Sequence, residues 1–352
     1  MQGHVAGLTT VLPNLVFLGL SNNMLGSWEH VHQIAASLTN LQTLDVSFNR
    51  LRFMHCPDKL RACEHLRTLV ANGCELTWQH VVLLSSTFTD LEELYLGSNV
   101  IDRLENNVTV RKPHCFKKLR VLDITDNHIK GWEAALHVST LSMLSCLKLS
   151  GNILHAINLP GSAPFTPVCI GLVRWLSLAR VHARSYHVLL QFAGDALQNI
   201  YTLLLANCGI SDWASINALA CLPQLRELRL TGNPVLHLSS LSGRNECIAR
   251  LAAITQLNGA GISAHERRDC ELQYLYRVQQ RIVDLGSAGL AEAELHPRLE
   301  ELCALHGNMA IQPRQSHIAA DAALGQRLVA LDLVYTGMQH PANYQQWQEL
   351  CV

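Results

Sequence analysis

The chain has 352 residues, 49% of them apolar, and its 27 basic and 28 acidic side chains leave a formal charge of −1. That length holds two or three ordinary domains or one extended array, and the charge balance predicts neither nucleic acid nor an anionic membrane as partner. No uncharged apolar run reaches membrane-spanning length, and the 12 cysteines form no Cys-x-x-Cys pair, so zinc ribbons and thioredoxin-type chemistry are not expected and reduced cytoplasmic thiols are.

The opening residues resemble a signal peptide only faintly, with no Lys or Arg ahead of the apolar stretch. From Leu15 a pattern begins, Leu-x-x-Leu-x-Leu-x-x-Asn-x-Leu, whose plainest copy is LQTLDVSFNRL at Leu41. Copies start at Leu15, Leu41, Leu66, Leu91, Leu119, Leu144, Val173 (degraded), Ile200 and Leu225, spaced 25 to 29 residues apart. This is the leucine-rich-repeat period. Each copy predicts a short strand and a helical or irregular return limb, and only stacking can bury its leucines. The expected architecture is therefore α/β: a solenoid of about nine repeats with a parallel concave sheet, helical or irregular convex limbs, a C-terminal helical cap and a partial β segment.

The Asn of each copy sits where the strand turns and buried backbone groups need partners, so Asn23, Asn49, Asn99, Asn127, Asn152 and Asn233 are expected to form a ladder. Cys74 and Cys208 occupy the same place and read as buried structural thiols rather than nucleophiles. Trp28, Trp78, Trp132 and Trp213 follow the turn in four copies, where they are expected to pack the first turn of a return limb. Ser27, Thr77 and Asp212 cap three of those limbs, and Gly131 precedes the fourth. No phosphate-binding, dinucleotide, zinc-protease or serine-hydrolase motif occurs, and the 18 histidines are scattered, so neither an enzyme nor a metal or cofactor site is expected.

The variable strand positions of such an array face its concave side and suit protein binding. The candidates are Asp45, Glu93, Tyr95, Asp123 and Asp126 from repeats two to five. Lys148, Trp175, Arg180, Glu227 and Arg229 come from repeats six to nine. As a set they give an acidic first half and a more basic second half.

From Ser239 the leucine pattern stops and a cap follows. Ser263 and Glu266 form a capping box that opens a helix with Leu272, Leu275, Val278 and Ile282 as its apolar stripe. HPRLEELCALHG is a second helix, with Pro297 near its first turn and Gly307 at its end. Residues 308–326 read as a linker, and 327–335 as a strand with Val329, Leu331, Leu333 and Tyr335 on one face. The expected segments are a lead-in (1–14), repeats (15–240), helical cap (241–307), linker (308–326) and a partial β segment (327–352).

The stretch LNG…I…ERR…E…YL followed by HPRLEELC…HG, after ISDWASINALACLPQLRELRLTGNP, resembles tubulin-folding cofactor E, and the resemblance spans about residues 10–335. In that family a CAP-Gly domain precedes the repeats and a ubiquitin-like domain follows the linker. About 14 residues precede the first repeat here and 15 follow RLVALDLVYTG, so neither complete domain is expected within these residues, and 327–352 would be the start of a truncated ubiquitin-like domain. The resemblance implies a cytoplasmic, cytoskeleton-associated chaperone. It would bind α-tubulin, alongside the other tubulin-folding cofactors, in assembly or dissociation of the tubulin heterodimer. Two other classes use the same architecture: a regulatory or scaffold subunit, such as a phosphatase regulator, and a receptor ectodomain. The flanking cysteine clusters that favour the receptor are absent.

Overall fold

The structure, a computed structural model, describes residues 8–53, 62–104, 116–132, 134, 137–157, 197–238, 242–285, 296 and 298–307. The chain divides into two units, Met1–Ile311 and Gln312–Val352, and the described residues fall in the first. The linker and the strand expected at 327–335 lie outside them.

Every repeat strand is three residues long: β1 (Phe17–Gly19), β2 (Thr43–Asp45), β3 (Thr68–Val70), β4 (Glu93–Tyr95), β5 (Val121–Asp123), β6 (Cys146–Lys148), β7 (Thr202–Leu204) and β8 (Glu227–Arg229). A two-residue strand, β9 (Gln256–Leu257), continues the parallel ladder, and β10 (Ala260–Gly261) folds back antiparallel upon it. Register follows the repeat, so Leu44, Leu69, Leu94, Leu122, Leu147, Leu203, Leu228 and Leu257 stack in one file. Each of these leucines is fully buried, a burial worth about 2 kcal/mol per side chain.

The ladder corrects the expected membership. β6 pairs directly with β7, Leu147 against Leu203; the degraded copy at Val173 lies outside the described residues. The ninth parallel strand is instead β9, in the segment expected to be purely helical cap. Leu251, Ile254 and Leu257 repeat the buried leucine places there, and Asn258 follows with its Oδ1 accepting from the Leu230 amide at 2.7 Å.

The asparagine ladder forms at Asn49, Asn99, Asn127, Asn152 and Asn233, whereas Asn23, in the first repeat, is exposed and its Nδ2 donates to the Ser21 carbonyl of its own turn. Asn49 Oδ1 accepts from the Asn23 and Leu25 amides, and its Nδ2 donates to the Leu20 and Val46 carbonyls. Asn99 repeats this set two turns further on, and Asn233 repeats it near the end of the array. At Cys74 and Cys208 a thiol donates to the preceding repeat instead, to the Val46 carbonyl at 3.3 Å and the Leu149 carbonyl at 3.4 Å. Burial pushes the Cys208 thiol up to about 11 and raises Cys74 as well, so both stay protonated.

Just before each ladder residue the chain passes through a left-handed turn: Phe48, Ser98, Asp126 and Asn207 have φ between 53 and 56°, and Gly73, Gly151 and Gly232 between 61 and 74°. The larger of these residues lean on a glycine in the following repeat. A Cβ at Gly151 would stand 1.9 Å from Asp126 Oδ1, and one at Gly232 would stand 1.8 Å from Asn207 Oδ1.

The return limbs carry α1 (Leu8–Val11), α2 (Trp28–Ser37), α3 (Trp78–Thr87) and α4 (Trp213–Ala218). Ser27, Thr77 and Asp212 accept the third amide of their helices, as capping residues do, and Thr77 with His80 completes a reciprocal box. Trp28, Trp78 and Trp132 are buried, as expected for residues that anchor the limbs. Their indole N–H groups have no hydrogen-bond partner.

The cap consists of α5 (Gly243–Arg250), α6 (Ala264–Leu285) and α7 (Leu299–His306). The α6 capping box forms by half: Ser263 Oγ accepts the Glu266 amide at 3.0 Å, but the Glu266 carboxylate turns to Arg244 at 2.8 Å. The buried stripe of α6 runs through Cys270, Glu271, Tyr274, Leu275 and Val278, while Leu272 is only half-buried, so Glu271 rather than Leu272 faces inward. α7 ends at Gly307 with φ 80°, as its sequence predicts; Pro297 lies outside the described residues.

Candidate protein-binding face

A three-residue strand whose middle residue points into the core must turn its two outer residues to the opposite face. These outer residues are half-buried in nearly every repeat. Cross-strand register aligns them in two columns. One runs Thr43, Thr68, Glu93, Val121, Cys146, Thr202, Glu227; the other runs Asp45, Val70, Tyr95, Asp123, Lys148, Leu204, Arg229.

Three of the expected face residues converge at the centre. Lys148 Nζ lies 3.2 Å from Asp123 Oδ2 and 4.9 Å from the centre of the Tyr95 ring, so it is at once ion-paired and stacked. The Tyr95 hydroxyl donates to Glu93 Oε2 at 3.0 Å, and burial followed by the Glu93 bond pushes the phenol up to about 12. On the next strands the Thr202 hydroxyl donates to Glu227 Oε2 at 2.9 Å. Asp45 and Asp123 also accept the Ser47 and Thr125 amides at the strand exits, so each has a structural task besides its charge.

The expected charge polarity breaks at its midpoint. Lys148, counted with the basic half, is neutralised by Asp123 of the acidic half. Asp126 is not on the face: it occupies the left-handed turn beyond β5 and leans on Gly151. Trp175 and Arg180 lie outside the described residues. Arg229 is the exposed cation of the second column. Sequence reading missed Thr202 and Cys146, whose small side chains carry no charge signal but hold register positions between the acids. Burial raises the Cys146 thiol and keeps it protonated.

A second charged cluster joins the cap helices. Arg250 lies 2.6 Å from Glu246, donates to Asn217 Oδ1 at 3.0 Å and stacks over the Trp213 and Tyr274 rings. Arg298 joins α7 to α6 by ion pairs to Glu271 at 3.1 Å and Glu301 at 2.6 Å and donates to the Ala249 carbonyl. His306 Nε2 lies 2.9 Å from the second Glu271 oxygen. Arg267 donates to the Ile248, Leu251 and Ile254 carbonyls and so closes the end of α5. Among the described residues no group of three or more His, Cys, Asp or Glu is placed to hold a metal ion, and no helix is long and apolar enough to cross a membrane.

The ionisable residues of this cluster include Arg267, Glu271, Arg298, Glu301 and His306, all within the stretches ERR…E…YL and HPRLEELC…HG. The chain is 30% identical over 312 residues to tubulin-folding cofactor E of Arabidopsis thaliana, covering 87% of this chain and 52% of that protein. Its other relatives carry the names tubulin-specific chaperone E and tubulin-specific chaperone cofactor E-like protein. Tubulin-specific chaperone E of Danio rerio is 34% identical over 74% of this chain and 45% of its own length, and a human cofactor E-like protein is 28% identical over 83% and 64%. The resemblance drawn from the cap stretches thus extends over most of the chain, and the chain spans about half the length of the cofactor E proteins it matches. No family model matches. Among solved structures, an internalin of Listeria monocytogenes matches with a TM-score of 0.44 at 17% identity, over 73% of this chain and 57% of that one. Human trophoblast glycoprotein matches at 0.42 and 18%, over 68% and 77%.

Proposed function

We propose that this chain acts as a tubulin-folding cofactor in the cytoplasm: it binds α-tubulin, with the other folding cofactors, during assembly or dissociation of the heterodimer. The observation that carries this reading is the similarity to cofactor E proteins over 87% of the chain. The two half-buried columns supply a protein-binding surface suited to it, since solenoids bind along their strand face. On that face Arg229 is the exposed cation available to an acidic partner such as tubulin, whereas Lys148 is occupied by Asp123. The expected contact therefore moves toward β8.

The test is capture of purified tubulin by the full chain. Arg229→Glu should weaken capture about tenfold, the scale of a charge reversal at an interface. Lys130→Glu, the same charge change on an exposed residue outside the face, should leave it unaltered. Absence of tubulin binding by the unaltered chain would sink the reading. Equal binding by the two variants would move the contact off the strand face.

A further inference from the structure

The strand face has a third row beside its two columns, at the strand entrances. The amides of Arg67, Glu92, Arg120, Ser145, Tyr201 and Arg226 donate in turn to the carbonyls of Gln42, Arg67, Glu92, Arg120, Ser145 and Tyr201 at 2.7–3.0 Å, so these residues stand side by side along one rim. The first part of the rim is electrically closed: Arg67 lies 3.0 Å from Asp90 and 3.7 Å from Glu92, and Lys118 reaches Asp90 at 2.8 Å. The second part is open. Lys117, in the turn entering β5, and Arg120 are exposed and make no ion pair among the described residues. Arg226 commits one nitrogen to the Pro223 and Leu225 carbonyls of its own turn and likewise meets no carboxylate among them. Residues 117–120, 142–145, 198–201 and 223–226, which enter β5 to β8, include no Asp or Glu. Tyr201, 52% exposed, stands between Arg120 and Arg226.

The adjoining columns carry Asp45, Glu93, Asp123 and Glu227 against Lys148 and Arg229, so charge changes sign across the width of the face rather than along it. That asymmetry selects the occupant. Three strand steps of about 4.8 Å put Arg120 about 14 Å from Arg226, and an extended chain spans this with about four residues. Acids at that spacing would meet both arginines, and an apolar side chain between them would lie on the Tyr201 ring. A nucleic acid needs a broad field of cations, whereas this rim is a single file beside an acidic surface, on a chain of formal charge −1.

We propose that the rim from Lys117 to Arg226 docks an extended acidic segment of the protein partner, and it rests on the tubulin reading for that partner's identity alone. The chemistry is the rim's own: carboxylates on Arg120 and Arg226, an apolar side chain on Tyr201, and Lys117 drawing the segment in.

Exposed interfacial charges act mainly on association rate and on its salt dependence. Lys117→Glu/Arg120→Glu should slow association of the full chain with purified tubulin about tenfold at about 0.05 M salt, and the deficit should shrink at about 0.5 M, where salt screens exposed charges. Its melting temperature should not change, since both side chains are exposed. Arg103→Glu/Lys130→Glu, the same charge change on exposed residues outside the rim, should leave the rate unaltered. An octaglutamate peptide should bind the unaltered chain and lose at least about tenfold in affinity with the rim variant. Octaglutamate binding without tubulin binding would remove the tubulin reading and keep the rim. Equal tubulin association rates for the two double variants overturn the rim and keep the tubulin reading. Failure of the unaltered chain to bind octaglutamate also overturns the rim, as does tighter binding of octauridylate that the rim variant loses.

Discussion

In the described repeats no Asp, Glu, Lys or Arg is buried; besides a few hydroxyls and His32, the buried polar side chains are neutral amides, Asn49, Asn99, Asn127, Asn152 and Asn233, each tied to backbone on its own turn and its neighbour's. In the cap they are charged: Glu246, Arg250, Glu271 and Arg298 are all less than 9% exposed and paired with one another or with backbone. The difference follows from periodicity. A ladder offers the same two amides and two carbonyls at every step, which one carboxamide matches. The cap joins helices that meet once, so long side chains must reach across, and arginine's fork satisfies several acceptors at a time. A neutral ladder has no charge to lose, whereas a buried ionic network fails badly when one member is removed.

The largest test of that contrast is Arg298→Ala. It leaves Glu271 buried without its arginine, with His306 still at its other oxygen, and chemical denaturation should show a loss of about 3–5 kcal/mol. Local exchange should be concentrated in α6 and α7. A loss below about 1 kcal/mol would mean that the network is looser than its distances.

Next comes Asn99→Ala. It strips partners from the buried Cys74 and Leu76 amides and the Ala71 carbonyl, while the Leu96 carbonyl keeps the Asn127 amide. The expected cost is about 2–4 kcal/mol, from orphaned groups at roughly 1–3 kcal/mol each with partial relaxation. Its effect should spread along the ladder rather than stay in one repeat.

The smallest effect is that of acid. The Arg298 hydrogen bond holds the Glu301 carboxyl below its ordinary value of 4.5, and the Arg244 bond does the same for Glu266. A depressed carboxylate stabilises the fold above its unfolded value and loses that contribution as pH falls through its native one. The cap should therefore loosen as pH drops below about 4.5, by no more than about 1 kcal/mol per group, because solvent screens both carboxylates. The asparagine ladder should hold. Asp90, lowered by Lys118 and Arg67, is a surface exception within the repeats. Hydrogen exchange at pH 3 against pH 6 checks the order; equal loosening of both regions would erase the distinction.

Legibility in the sequence follows the same division. The strand file, the ladder asparagines and the capped tryptophan limbs could be read because each recurs at a fixed spacing. The copy at Val173 lies outside the described residues, and repeat spacing alone did not show that β6 would pair directly with β7. β9 was hidden because one step of the ladder lies inside a helical segment without the full pattern. The face was half legible: register columns can be counted, but that Lys148 is taken by Asp123 depends on reach across strands, and Asp126 differs from Asp123 by where the turn begins. The inward Glu271 could not be inferred from a hydrophobic stripe, since its partners lie 27 and 35 residues away.

The left-handed turns set a rule of succession along the array. Asp126 rests where Gly151 leaves room and Asn207 where Gly232 does, and the Phe48 ring likewise covers Gly73. Three pairs of neighbouring repeats are thus coupled, a bulky member followed by a bare one, while Asn22 before Phe48 and Ser98 before Asp126 stand outside the pattern. Excising the repeat that carries Gly151 would bring Asp126 against the turn of Asn207, side chain upon side chain. A chimera spliced within one of these pairs inherits a collision that neither parent has.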